Sequence, residues 1–328
     1  MILMLSKKDA ETVLTMKESI VAVEEAFREL ASGTALMPTR VALSVSDKKG
    51  WMGVMPAYLS GAGALAAKIA TAYENNPSKH KLPTVMALIV LNDPETGKTE
   101  AVLEGTYITA MRTGAASGVA AKYLARQNSR VVGVFGAGTQ ARTQLEAIRQ
   151  VRNVQSAFIY DIIPERAKRF SEEMGQKLGI AVHAEASPAR IAGMCDIIAT
   201  ASTSRTPVFD GGTLKKGVHV NAVGSYTPDT RELDDLTIVR SKLVVDSRQA
   251  ALQEAGDIII PLKAGMIAQD HIYAELGEIV AGLKPAREND DEVTVFKSVG
   301  LGIQDAAVAN LAYKKAREKG IGQELEFL

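Results

Sequence analysis

Gly136-Ala137-Gly138-Thr139-Gln140-Ala141 has the G-x-G-x-x-A spacing of a loop that wraps a dinucleotide pyrophosphate. The first glycine permits a tight turn, the second lets backbone approach the phosphates, and the small third residue lets helix and strand pack closely. Three cations elsewhere could hold an acid. Lys68 interrupts the apolar stretch Leu65-Ala66-Ala67-Lys68-Ile69-Ala70, where a buried ammonium needs an anionic partner; a snorkelling lysine or an ordinary ion pair is the other reading. Arg40, which opens a strand, carries a planar fork suited to a carboxylate, or is simply solvated. Arg112-Thr113 lies near the start of a helix, a natural place for phosphate or carboxylate.

The elements that must position these groups are legible in the pattern. Val131 to Phe135 is a short β-branched run that reads as a buried parallel strand, and the glycine loop follows at once. A helix from Thr139 to about Arg149 directs its N-terminal N–H groups at the pyrophosphate. A second strand, Ala157 to Tyr160, ends at Asp161, which lies 23 positions after Gly138 and is placed to accept from the adenosine ribose. Its negative charge favours NAD(H); Arg166 nearby leaves NADP(H) possible. The plainer reading of Asp161 is a helix cap. Helices over 164–178 and 187–193 then alternate with strands over 181–183, 196–201, 218–223, 243–246 and 293–298, which predicts a doubly wound parallel sheet. Asn221-Ala222-Val223-Gly224-Ser225-Tyr226 ends one strand, so Tyr226 is expected at the ligand-binding edge, unless it merely caps a turn.

The N-terminal part differs. Residues 6 to 33 read as a helix with a capping box at Thr15 to Glu18. Strands over 41–46, 51–58, 65–73, 84–91 and 99–104 follow without intervening helices, the last two joined by Asn92 to Gly97 as a hairpin turn, which argues for an antiparallel or mixed sheet. Ile108 to Arg126 is a helix rich in small residues, suited to close packing, and the last helix, Ile303 to Lys319, would pair back onto the first domain.

The 328 residues allow two domains, and 46% hydrophobic with 23% charged residues fits a soluble globular protein. Thirty-eight basic residues balance 38 acidic ones, so no nucleic-acid partner is expected. The start, MILMLSKKDAE, reads as neither a signal peptide nor a membrane span. Cys195 stands alone in an apolar context as a small buried hydrophobe, which suits a reducing cytoplasm. Four histidines share no metal-ligand spacing, so no metal is expected, and no hydrolase nucleophile motif is present.

Together these stretches resemble the ornithine cyclodeaminase/mu-crystallin family, which also includes alanine dehydrogenases and ketimine reductases. The matching segments are Gly53 to Tyr58, Ala67-Lys68, Met111 to Thr113, Gly136 to Ala141, Asn221 to Gly224, Arg231 to Asp234, Asp246-Ser247, Glu275 to Glu278 and Phe296 to Gly300, in the family's order over nearly the whole chain. The resemblance implies an α+β substrate-binding and dimerisation domain (1–113 with 303–328), a Rossmann domain (114–302) and a homodimer. It implies that Arg40, Lys68 and Arg112 hold a substrate carboxylate and that Thr84, Arg112 and Thr113 lie along the cofactor. It further places the glycine loop on the pyrophosphate, Asp161 on the ribose, and Val223, Gly224, Ser298 and Gly300 on the cofactor.

Two departures separate the chain from the cyclodeaminases of that family. Their catalytic aspartate after Asn-Ala-Val-Gly is replaced by Tyr226, and the glutamate that binds the distal amine of ornithine aligns with Gly53. Both weigh against cyclodeamination and leave hydride transfer intact. The expectation is therefore an NAD(P)H-dependent reductase of 2-imino acids, run in reverse as an amino acid dehydrogenase, with Lys68 and Tyr226 as catalytic groups. A cyclodeaminase-type lyase and a non-catalytic ligand-binding protein are the alternatives.

Overall fold

The computed structural model describes residues 1–326. The chain packs as two units: Met1–Arg112 together with the segment from Leu301 onward, and Thr113–Gly300. No helix among the described residues is long and apolar enough to cross a membrane.

The first unit is built on a mixed eight-stranded sheet. Gly50–Leu59, Ala64–Tyr73, Val85–Asn92 and Thr99–Glu104 run antiparallel in sequence order, with Val41–Val45 beside Gly50–Leu59. Asp93 accepts at Oδ1 from the backbone of Glu95 (2.7 Å) and Thr96 (3.3 Å) in the hairpin turn, and Gly97 takes φ +73°. Three strands lie outside the sequence expectations: Ile2–Leu5, which pairs parallel with Thr99–Glu104, the short exposed Gln323–Leu325 beside it, and the two-residue Ala35–Leu36, antiparallel to Gly50–Leu59. Neither four consecutive apolar residues nor a polar edge triplet carries a period-2 signal.

The expected single helix over 6–33 is two helices, Lys7–Val13 and Met16–Ser32. An N-cap residue cannot be helical, and Thr15 caps Glu18 with extended backbone (φ −116°, ψ 150°), so its capping interaction starts a new helix instead of continuing one. The last helix, Gly302–Lys319, packs on Gly50–Leu59 and Ala64–Tyr73, and Met16–Ser32 packs against that helix. The approach is close at Gly302, where an added Cβ would lie 3.2 Å from the carbonyl of Pro56 and 3.3 Å from that of Met55.

The second unit is an all-parallel eight-stranded sheet in the order Ala181–Ala184, Ser156–Tyr160, Val131–Phe135, Ile197–Thr200, His219–Ala222, Thr294–Lys297, Lys242–Val245, Ile272–Glu275. The last of these was missed by the sequence reading. Strand order reverses around Val131–Phe135, which pairs with the strand after it on one side and with Ile197–Thr200 on the other. The carboxyl end of that strand is thus the crevice where open α/β sheets bind ligands. Two apolar cores lie on the two faces, one including Leu145, Ile159 and Phe170, the other Phe135, Val220 and Ile258. The small-residue helix spans Gly105–Leu124, and a Cβ at Gly114 would stand 2.6 Å from the carbonyl of Thr143, so glycine permits its contact with Thr139–Val151.

Candidate functional site

Strand alternation explains why Lys68 is buried. In Ala64–Tyr73 the residues Ala64, Ala66, Lys68 and Ala70 face the helices, while Leu65, Ala67, Ile69 and Thr71 face away. The small alanines leave room for the last helix, whose first turn brings Gln304 and Asp305. Lys68 Nζ lies 2.7 Å from Asp305 Oδ2, and Arg112 Nε donates to Asp305 Oδ1 at 3.0 Å. Arg112 Nη1 donates to Gln304 Oε1 at 2.9 Å. Lys68 is 2% exposed and Asp305 1%.

Burial lowers the Lys68 pKa most, and the charge of Arg112 adds to that effect; the carboxylate of Asp305 opposes both and Arg40 contributes a further lowering, for a value of about 7. Arg112 and Arg40, the other two cations that the sequence singles out, thus both act on Lys68. Asp305 and Gln304 were not foreseen. Their signal was a pair of polar residues in a helix segment, Gly302 to Asn310, that is buried all round.

The glycine loop has the conformation its sequence demands. Gly136 takes φ +90°, and a Cβ there would lie 2.6 Å from the carbonyl of Ala201. Gly138 caps Thr139–Val151 without a side chain, and a Cβ there would meet nothing within 4 Å. The helix thus presents free N–H groups beside open space, which fits an anionic diphosphate. A cavity of about 300 Å³ adjoins the loop, lined by Ala137, Gly138, Thr139, Arg142, Arg166 and Arg169. Asp161 accepts at Oδ2 from Ala137 N (2.8 Å) and at Oδ1 from Ile163 N (2.9 Å), so it braces the loop while keeping lone pairs for further donors. Arg142 is a strut too: it donates to the carbonyls of Ala137 and Gly138 and is forked onto Glu173. Gln140 sits in the first turn, and Thr113 receives Gln144 Nε2 on its carbonyl at 3.2 Å.

Buried carboxylates fix the loops at the same edge of the parallel sheet. Asp246 accepts at Oδ2 from Ser298 Oγ (2.7 Å), Val299 N (2.9 Å) and Gly300 N (2.8 Å). Glu232 accepts from Thr200 Oγ1, Ser202 N, Ser202 Oγ and Gly224 N at 2.6–2.8 Å. Burial, with the nearby charge of Asp257, raises its pKa. Lys297 Nζ lies 2.8 Å from Asp257 Oδ2 and donates to the carbonyl of Ser225 at 2.6 Å. Val223 and Gly224 are thereby held, and Tyr226 follows in an exposed loop. Thr84 belongs to the first unit, where its carbonyl accepts from Tyr73 N at 2.8 Å.

Other candidates are structural. Cys195 is buried, which pushes its thiol up to about 12. His219 is buried between Thr294 Oγ1 and Asn221 Oδ1. Among the described residues no group of three His, Cys, Asp or Glu could hold a metal ion.

Known proteins match this architecture over its full length. The Δ(1)-pyrroline-2-carboxylate reductase of Thermococcus litoralis, solved in complex with NADH and L-proline, superposes with a TM-score of 0.97 at 52% identity, over 99% of this chain and 100% of that one. An archaeal alanine dehydrogenase dimer with bound NAD superposes at 0.94, with 41% identity over 100% and 99%. The alanine dehydrogenase of Archaeoglobus fulgidus is 43% identical over 99% of this chain and 98% of its own length. The family model of the ornithine cyclodeaminase/mu-crystallin family matches residues 2–320, and the chain belongs to that family.

Proposed function

We propose that the chain is an NAD(H)-dependent reductase of the C=N bond of small 2-imino acids, with cyclic ketimines such as Δ(1)-pyrroline-2-carboxylate as first candidates. The reverse reaction is oxidation of the matching amino acid. The observation that carries this reading is that two buried cations, Lys68 and Arg112, share the single carboxylate of Asp305. Buried charge without a partner is costly, so a substrate carboxylate completes the balance. In a 2-imino acid that carboxylate is bonded to the carbon to be reduced.

Bound NADH would supply a hydride to that carbon. The residues that would hold it are the glycine loop Gly136 to Gln140, the N-terminus of Thr139–Val151 and Asp161, with Thr84, Thr113, Val223, Gly224, Ser298 and Gly300 assigned by family likeness. Arg166 and Arg169 line the adjoining cavity, so NADPH is the second cofactor to measure. Arg40 and Arg112 orient the carboxylate. Lys68 donates a proton to the imine nitrogen, a task suited to an acid that titrates near neutrality. Tyr226 serves as a further hydrogen-bond donor.

Gly53 favours reduction over cyclodeamination. A Cβ at Gly53 would lie 2.3 Å from the indole of Trp51, so the ring occupies the place of a side chain there. A second ammonium on the substrate would find no carboxylate at this position.

The chain acts as a homodimer in this reading. Val41, Val54, Ile69 and Leu88 are cross-strand neighbours in one apolar row on the sheet face away from the helices; Val41 is 73% exposed and Leu88 54%. A second copy would cover them. A single buried thiol suits the cytoplasm.

The test is oxidation of NADH and NADPH with Δ(1)-pyrroline-2-carboxylate, and with pyruvate, glyoxylate and oxaloacetate, each with and without ammonia. Oxidation with the preformed ketimine, or only when amine is present, supports the reading. Oxidation by the oxo acids without amine, or none at all with cofactor bound, contradicts it.

A further inference from the structure

Asp305 sits in the first turn of Gly302–Lys319 and divides its two oxygens between two cations: Oδ1 takes Arg112 Nε at 3.0 Å and Oδ2 faces Lys68 Nζ at 2.7 Å. The cross-strand neighbours of Lys68 are Met55 and Ile89, which are uncharged. The charged groups acting on its ammonium are Arg112, Arg40 and Asp305. Two of these three oppose a charged lysine, as does burial; Asp305 alone among them supports it. The carboxylate has little freedom to swing away. Gly302 packs on the carbonyls of Met55 and Pro56, the side chain is 1% exposed, and Gln304 fixes the far side of the Arg112 guanidinium.

We propose that Asp305 is the positioning residue of this site: a single carboxylate orients both the ammonium of Lys68 and the guanidinium of Arg112, and it holds Lys68 in the charged form that delivers a proton. This rests on the imine-reductase reading for the acceptor of that proton. As the C–H bond forms at the imine carbon, the C=N π pair moves onto nitrogen and takes a proton from Lys68 Nζ. Lys68 is left neutral beside Asp305 and regains its proton from water. A pair of cations without Asp305 would still attract a carboxylate, but the lysine between burial and two arginines would shed its proton at lower pH.

The experiment is the pH profile of kcat at saturating Δ(1)-pyrroline-2-carboxylate and NADH for the full-length protein and Asp305→Asn. Wild type loses turnover as pH rises through the range where Lys68 deprotonates. In Asp305→Asn that loss moves to lower pH by about one unit or more. A uniform drop in kcat with the profile unmoved overturns the proposal, because a merely structural role scales the rate without shifting it. A second measurement needs no variant, should Asp305→Asn not fold. In isotope-labelled wild type, the Lys68 Nζ nitrogen signal and the Asp305 carboxyl carbon signal follow one shared inflection; independent inflections overturn the pairing. If wild type reduces no imine while the shared inflection is present, the proposed function falls and the pairing stands.

Discussion

Gly300 donates its backbone N–H to Asp246 Oδ2 at 2.8 Å while holding φ +85°, a conformation that glycine adopts readily. The same oxygen takes Val299 N and Ser298 Oγ, and Asp246 Oδ1 takes Ser247 N at 2.9 Å. A single buried carboxylate thus sets the segment that family likeness assigns to the cofactor. Asparagine at 246 can satisfy only one side, since its NH₂ must face a donor wherever it turns. Asp246→Asn is expected to lower stability by about 1–3 kcal/mol and to weaken NADH binding, read by chemical denaturation and by fluorescence titration. Unchanged NADH affinity would separate this loop from the cofactor.

Gly136 and Gly138 make different demands. At Gly136 a side chain meets both positive φ and the carbonyl of Ala201, so Gly136→Ala should lower stability. At Gly138 the backbone is extended and the space is open. Gly138→Ala should therefore leave Tm unchanged yet weaken NADH binding by roughly tenfold, about 1.4 kcal/mol. Equal affinity of wild type and Gly138→Ala would remove the pyrophosphate from this loop.

Lys297 and Asp257 are a fully buried ion pair, and Asp257 also accepts from the backbone of Glu232 and Leu233. Lys297→Met strands that carboxylate and should cost about 3–5 kcal/mol, measured by urea denaturation. A loss below 1 kcal/mol on the same scale would mean that the pair is not buried in solution.

Burial holds His219 neutral, with its pKa lowered to about 3; the charge of Arg287 adds to the effect. The unfolded chain takes up this proton near the ordinary histidine value, so it binds more protons than the folded chain between roughly pH 6.5 and 3. Stability from this group is complete above that window and is lost as pH falls into it. Tm measured from neutral to mildly acidic pH should decline, and the decline should be shallower in His219→Gln. Parallel slopes in the two proteins would show that His219 does not contribute.

The sequence was most informative where a local rule and the tertiary environment agree. Val131 to Asp161 announced strand, glycine turn, helix and second strand, because each step has its own short-range cause. Lys68 drew attention as a charge within an apolar strand, and burial explains why. Asp305 stayed hidden because its partners lie 237 and 193 positions away, at Lys68 and Arg112, and no local pattern encodes that distance. Thr15 is recognisable as a cap from its spacing to Glu18, but that its extended backbone separates two helices shows only in the fold. The strands Ile2–Leu5 and Ile272–Glu275 depend on neighbours in the sheet for their existence, and their own residues carry little periodicity.

Direct hydride transfer from NADH to an imine carbon can be followed by isotopic labelling. NADH deuterated at the transferring position of nicotinamide C4 is incubated with Δ(1)-pyrroline-2-carboxylate, and the product is examined by mass spectrometry and proton NMR. The expected product is proline carrying one deuterium at C2 for each NADH consumed, and Lys68→Ala should bind NADH but make no labelled product. Unlabelled proline would contradict direct transfer, as would ammonia release from ornithine with no net change in NADH.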